Sequence, residues 1–162
     1  MLNAHSHFCG RPELSMNIEQ YLAENGRLIY SNKGTSMLPL LREGRDLMII
    51  DRKSPERCRA GDVVLFRRGS DYVLHRVVEV RENGYVILGD NCVSCERGVT
   101  DRDILGVMTG FVRNGREHSV NEWSYKVYTF LWMRTAALRI FVKKVIQYVR
   151  TRLRVSHLVS AE

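Results

Sequence analysis

Tyr72-Val73-Leu74-His75-Arg76-Val77-Val78-Glu79-Val80 and Tyr85-Val86-Ile87-Leu88, joined through Arg81-Glu82-Asn83-Gly84, decide the fold class of this chain. Both flanks are dense in β-branched and aromatic residues, which fit a pleated surface. Asn-Gly between them readily takes the positive φ angles of a tight turn, so the stretch predicts a β-hairpin. Outward from it the same kind of short run recurs at Leu28 to Ser31, Asp46 to Ile50, Asp62 to Phe66 and Ile104 to Val112, with Gly, Asn, Pro and Asp as punctuation. The pattern predicts a mainly β fold with a barrel-like body.

Two helical segments flank this body. Met16, a candidate translation start, followed by Asn17-Ile18-Glu19-Gln20-Tyr21-Leu22 starts a short helix that Asn25-Gly26 should terminate, behind a leader of the first fifteen residues. Past Asn121, Val127, Tyr128, Leu131, Leu138, Val142, Val145, Ile146, Val149 and Leu153 fall on one stripe at about 100° per residue, which predicts a single long amphipathic helix. The organisation is therefore a leader and short helix over 1–27, a β-rich domain over 28–118, and a basic amphipathic helix and tail over 119–162.

The chain has 162 residues and a net charge of +7. Residues 1–122 hold 17 basic and 17 acidic side chains, whereas 123–162 hold eight basic residues and one acid, Glu162. A neutral body carries a basic tail. The longest uncharged run in that tail is Val127 to Met133, far short of the roughly 20 apolar residues a bilayer span needs. Composition of 44% hydrophobic and 27% charged residues excludes a disordered chain and a polytopic transporter. Four cysteines do not make a secreted disulfide scaffold, and no apolar signal segment opens the chain, so the expected location is cytoplasmic, at the inner membrane surface if the tail binds there.

Chemistry can come from few residues. Gly34-Thr35-Ser36-Met37-Leu38-Pro39 places a serine in a tight turn, where its hydroxyl and backbone N–H can both be presented. An exposed serine needs a base. Of the five histidines, His5, His7, His118 and His157 fall in the leader, a polar turn region or the tail, and only His75 lies within the β body. Gly89-Asp90-Asn91 and the acids Glu96, Asp101 and Asp103 follow the hairpin and can orient an imidazole, or simply form turns. Cys92-Val93-Ser94-Cys95 lacks the second pair that a zinc site requires, and His5-Ser6-His7-Phe8-Cys9 is no fuller, so no metal is expected.

Together and in order, Gly34 to Pro39, the stretch Glu43 to Asp51, Gly61-Asp62-Val63-Val64-Leu65-Phe66, Leu74-His75-Arg76-Val77-Val78, Gly89-Asp90-Asn91 and Asp103-Ile104-Leu105-Gly106 resemble the signal peptidase family and the related self-cleaving repressors. These are serine endopeptidases on a β-rich fold, and the resemblance covers roughly Leu28 to Val112. A histidine before Arg-Val resembles the archaeal and endoplasmic-reticulum-type branch, which uses histidine where other members use lysine. The resemblance implies Ser36 as nucleophile, His75 as base and a downstream acid to hold the imidazole. Spacing from Gly89-Asp90-Asn91 puts that acid at Glu96, with Asp90 and Asp101 as competitors. Gly34 stands where signal peptidases usually have a serine, which implies an oxyanion hole made mainly of backbone N–H groups.

The expected function is an endopeptidase that cuts a peptide or preprotein precursor by acyl-enzyme chemistry, without metal or organic cofactor. The 162 residues contain no apolar N-terminal anchor, which shifts the expectation from ordinary secretory preproteins to short peptide precursors. Residues 123–153, with Trp123 and Trp132, are expected to dock on an anionic membrane surface or to pack on the body. The alternatives are a repressor-like protein that cuts itself, with Cys9-Gly10 as the local candidate bond, or a noncatalytic protein whose basic tail grips nucleic-acid phosphates. The apolar stripe argues against nucleic acid, because a phosphate-tracking arm gains little from it.

Overall fold

The computed structural model describes residues 18–31 and 33–159, with side chains as far as Thr151. The leader, including His5, His7 and the Cys9-Gly10 bond, lies outside the described residues. Helix α1 (Ile18–Asn25) stops at Gly26, whose φ of 71° is costly for any residue with a Cβ. Eight strands follow: β1 (Arg27–Ser31), β2 (Asp46–Arg52), β3 (Val63–Arg68), β4 (Asp71–Arg81), β5 (Gly84–Leu88), β6 (Glu96–Val99), β7 (Ile104–Arg113) and β8 (Arg116–Ser119). They form one antiparallel sheet in the order β1-β2-β7-β3-β4-β5-β6, with β8 beside β7. β4 and β5 are the hairpin that Asn83-Gly84 predicts, pairing Arg81 with Gly84.

The sheet is open rather than a closed barrel. Closure would need the edge strands β1 and β6 to pair, and each ends the strand order instead. β7 explains part of this: along one side it pairs β2, while on the other its first half takes β3 and its second half is claimed by β8. β3 shows how the sheet builds two cores with one strand. Val63 and Leu65 face a cluster with Met37, Leu41, Ile50 and Leu74, whereas Val64 and Phe66 face Val77, Tyr85 and Ile87. Alternation with period two puts successive residues on opposite faces, and here both faces are dry.

The C-terminal segment is two helices, not one. α2 (Trp123–Arg134) and α3 (Ala136–Val159) break at Thr135, whose hydroxyl donates to the Leu131 carbonyl at 2.7 Å. A threonine hydroxyl bonded back to the preceding turn competes with the backbone ladder and bends the chain. α2 packs on the body through Tyr125, Tyr128 and Thr129, all of which reach the β4 and β5 end of the sheet.

Candidate active site

The turn carrying Ser36 is not a strand extension but an anchored loop. Met37 and Leu41 are fully buried, and the Leu41 N–H donates to the Met37 carbonyl at 2.9 Å, so the loop is fixed from inside by apolar burial. Gly34 opens it with φ 78°, and its N–H donates to Glu43 Oε2 at 2.8 Å. The far end is pinned by Arg113, which donates to the Leu40 carbonyl at 2.7 Å and to Asp46. Asp46 is buried; burial alone would raise its pKa, but hydrogen bonds from Arg45, Arg113 and the Arg42 N–H outweigh this and hold it at about 2.

Ser36 itself is stapled to the loop after β5. Its carbonyl accepts from the Asn91 N–H at 2.7 Å, and the Asn91 side-chain amide donates to the Thr35 carbonyl at 3.0 Å. Ser36 and His75 line one cleft of about 480 Å³, whose walls include Leu28, Met48, Leu65, Leu74 and Cys92. The Ser36 N–H has no hydrogen-bond partner among the described residues, which leaves it available to an oxyanion. A second cleft of about 490 Å³ holds Asp101 but neither Ser36 nor His75.

His75 sits mid-strand in β4 and is 5% exposed. A Cβ on Gly89 would fall 2.8 Å from its Nε2 and 2.6 Å from Cys92 Sγ, so only glycine lets the loop pass this close to the ring. On the other side of the imidazole, Nδ1 lies 3.1 Å from Glu96 Oε1, although the approach is off the line of a well-aligned hydrogen bond. The same oxygen lies 3.3 Å from Arg68 Nη1. Burial pushes the His75 pKa below its usual 6.5; Glu96 pulls it back up, and Arg68 reinforces the depression. The imidazole is therefore neutral at pH 7, the form that can accept a proton.

Of the competing acids, Asp90 points elsewhere. Its carboxylate is buried in a bidentate pair with Arg76, Nε to Oδ1 and Nη2 to Oδ2 each at 2.8 Å, and it also accepts from the Tyr128 hydroxyl at 2.9 Å. Asp101 is occupied by the Tyr85 hydroxyl at 2.6 Å and by Lys53 at 2.9 Å. Glu96 is the acid at Nδ1. Of the two lysines nearest the site in sequence, Lys33 is exposed and lines the cleft, while Lys53 reaches the carbonyls of Ser54 and Glu56. Burial raises the Cys92 pKa above that of an ordinary thiol, so at neutral pH it remains protonated and a poor nucleophile.

Several residues matter to this geometry without a sequence signal of their own. Asn91 ties the two loops together, Glu43 holds Gly34, and from α3 Arg139 donates to the Asp90 carbonyl at 3.0 Å and Lys143 to the Asn91 carbonyl at 2.8 Å. Trp132 stacks on Tyr128 and carries the Arg139 guanidinium 3.5 Å above its ring. Trp123 is exposed. Among the described residues no helix is long and apolar enough to cross a membrane. Compared with models of known families, with curated proteins and with solved structures, the chain matches none.

Proposed function

We propose that this protein is a serine endopeptidase of the Ser-His type, similar to the signal peptidases, that cuts a peptide or preprotein precursor through an acyl-enzyme. The observation that carries the reading is that Ser36 and His75 share one cleft while Glu96 lies 3.1 Å behind the imidazole at Nδ1. In the first half-reaction Ser36 Oγ attacks the scissile carbonyl carbon and passes its proton to His75. The tetrahedral intermediate then collapses, the C–N bond breaks, and His75 returns the proton to the leaving amine. Water repeats the sequence on the ester: His75 takes its proton, and the acid product and the Ser36 hydroxyl are released. Glu96 stabilises the imidazolium in both halves, and backbone N–H groups at the Ser36 turn meet the oxyanion.

The apolar walls of the cleft, Leu28, Met48, Leu65 and Leu74, suit an extended substrate with small or apolar side chains near the cut. The test uses the purified chain on a peptide library read by mass spectrometry, with a phosphonylating serine probe in parallel. Ser36→Ala and His75→Ala should each abolish turnover, the double variant should lose no more than either alone, and probe labelling should vanish without Ser36. Lys33→Met should stay active. Wild-type-like turnover by the Ser36 or His75 variant ends this reading, and a dead Lys33→Met variant moves the base to lysine.

A further inference from the structure

The apolar side of α3 is the largest feature that the peptidase chemistry leaves unused. Leu138, Phe141, Val142, Val145, Ile146 and Val149 are all exposed, Phe141 to 65%. At about 100° per residue they form one continuous side of the helix. Arg139 and Lys143, one turn apart, fix which side meets the body, because they donate to the Asp90 and Asn91 carbonyls. That row borders the apolar side at Ile146 without covering it, so docking α3 on the body leaves the apolar residues exposed.

Charge selects the occupant. From Trp123 to Ala161 the sequence has no acidic residue, and Lys144 and Arg150 stand exposed beside the apolar side. Pairing this helix with a second copy would bring two basic surfaces together, whereas a layer of lipid phosphates would neutralise them. Among the described residues no helix is long and apolar enough to cross a bilayer, and α3 carries Arg139, Lys143, Lys144 and Arg150 along its length. We propose that α3 is an interfacial helix that lays Phe141, Val142, Val145 and Ile146 into the surface of an anionic bilayer, with Lys144 and Arg150 on the headgroups. Because Asn91 bonds both Lys143 and the Ser36 carbonyl, the docked helix holds the Ser36 cleft beside the lipid surface.

The full chain is tested by flotation with vesicles of phosphatidylcholine alone and with added phosphatidylglycerol, at rising salt. Binding should require the anionic lipid and fall as salt rises, and Lys144→Gln and Arg150→Gln should each weaken it about fivefold. Phe141→Asp combined with Ile146→Asp should abolish binding while circular dichroism is unchanged, since both positions are exposed. Equal partitioning of that double variant, or no binding by the wild type, overturns the proposal. So does a lipid-free dimer in sedimentation velocity that dissolves in the double variant, for then the occupant is a second copy. None of these readouts depends on peptide cleavage.

Discussion

His75 lies near two charges that shift its proton affinity in opposite directions, Glu96 upward and Arg68 downward, with Glu96 Oε1 close to both Arg68 and the ring. Glu96→Gln should keep the fold and lower kcat by as much as about 10⁴-fold, because an amide leaves the imidazolium uncompensated and allows the wrong tautomer. Steady-state kinetics with the same peptide checks this, and near-wild-type turnover removes Glu96 from the machinery. Arg68 gives a separate readout. Its charge depresses the His75 pKa, so Arg68→Gln should raise it and move the acid limb of kcat/KM to higher pH. In the wild type that limb should lie below about 6.5, since burial favours the neutral ring. A limb that stays put in Arg68→Gln shows that Arg68 has no hold on the imidazole. Ser36 and His75 stand out in the sequence because each lies in a setting with few competitors. Asp90 does not declare its role, since Gly-Asp-Asn reads equally well as a turn or as an acid for the base. Only the β4–β5 register, which pairs Arg76 with Leu88, brings the Arg76 guanidinium within reach of Asp90.

At the scale of elements, α2 is part of the body rather than an appendage. Arg76 is 1% exposed, and its Nη1 donates to the Gly61 carbonyl, to Thr129 and to the Tyr125 hydroxyl, while Tyr128 holds its partner Asp90. Truncation before Trp123 would open the Arg76–Asp90 pair to water and strip three of its hydrogen bonds. A hydrogen bond to a charged group contributes about 1.5 to 3 kcal/mol, so a 1–122 fragment should unfold at much lower urea than a 1–147 fragment that keeps α2, Arg139 and Lys143. Equal urea midpoints would return α2 to the status of a detachable tail. The apolar stripe in the sequence runs unbroken through Thr135, because periodicity reports a face and not a hinge; the break comes from a hydroxyl bonding its own preceding turn. β6 is equally hard to read. Glu96-Arg97-Gly98-Val99 has no alternation of apolar residues, and its strand character comes from pairing with β5. The hairpin and the longer strands are legible because their apolar runs exceed what a turn can hold.

Taken whole, the molecule joins a neutral body whose charges are mostly spent on one another to a helix whose charges are not. That difference makes the stability of the body depend on pH through identifiable groups. His75 has a folded pKa below its unfolded value, so the unfolded chain binds the proton more tightly, and stability should begin to fall as pH drops below about 6.5. Asp46 works in a lower window. Its folded pKa of about 2 lies below the ordinary 3.8, so its contribution is complete above about pH 5 and is lost as pH falls towards 2. Because Asp46 is 1% exposed, this contribution is on the order of 2 kcal/mol. Urea unfolding of the wild type, His75→Gln and Asp46→Asn between pH 7 and pH 2 separates the two. His75→Gln should flatten the upper window alone. Asp46→Asn should be less stable at pH 7, where Arg45 and Arg113 lose their carboxylate, and should converge on the wild type near pH 2, where that carboxylate is half protonated in the folded wild type as well. Parallel curves for Asp46→Asn and the wild type down to pH 2 would show that Asp46 does not set the acid limit of this fold, and that the Ser36 loop is held at its far end by something other than the Asp46–Arg113 pair.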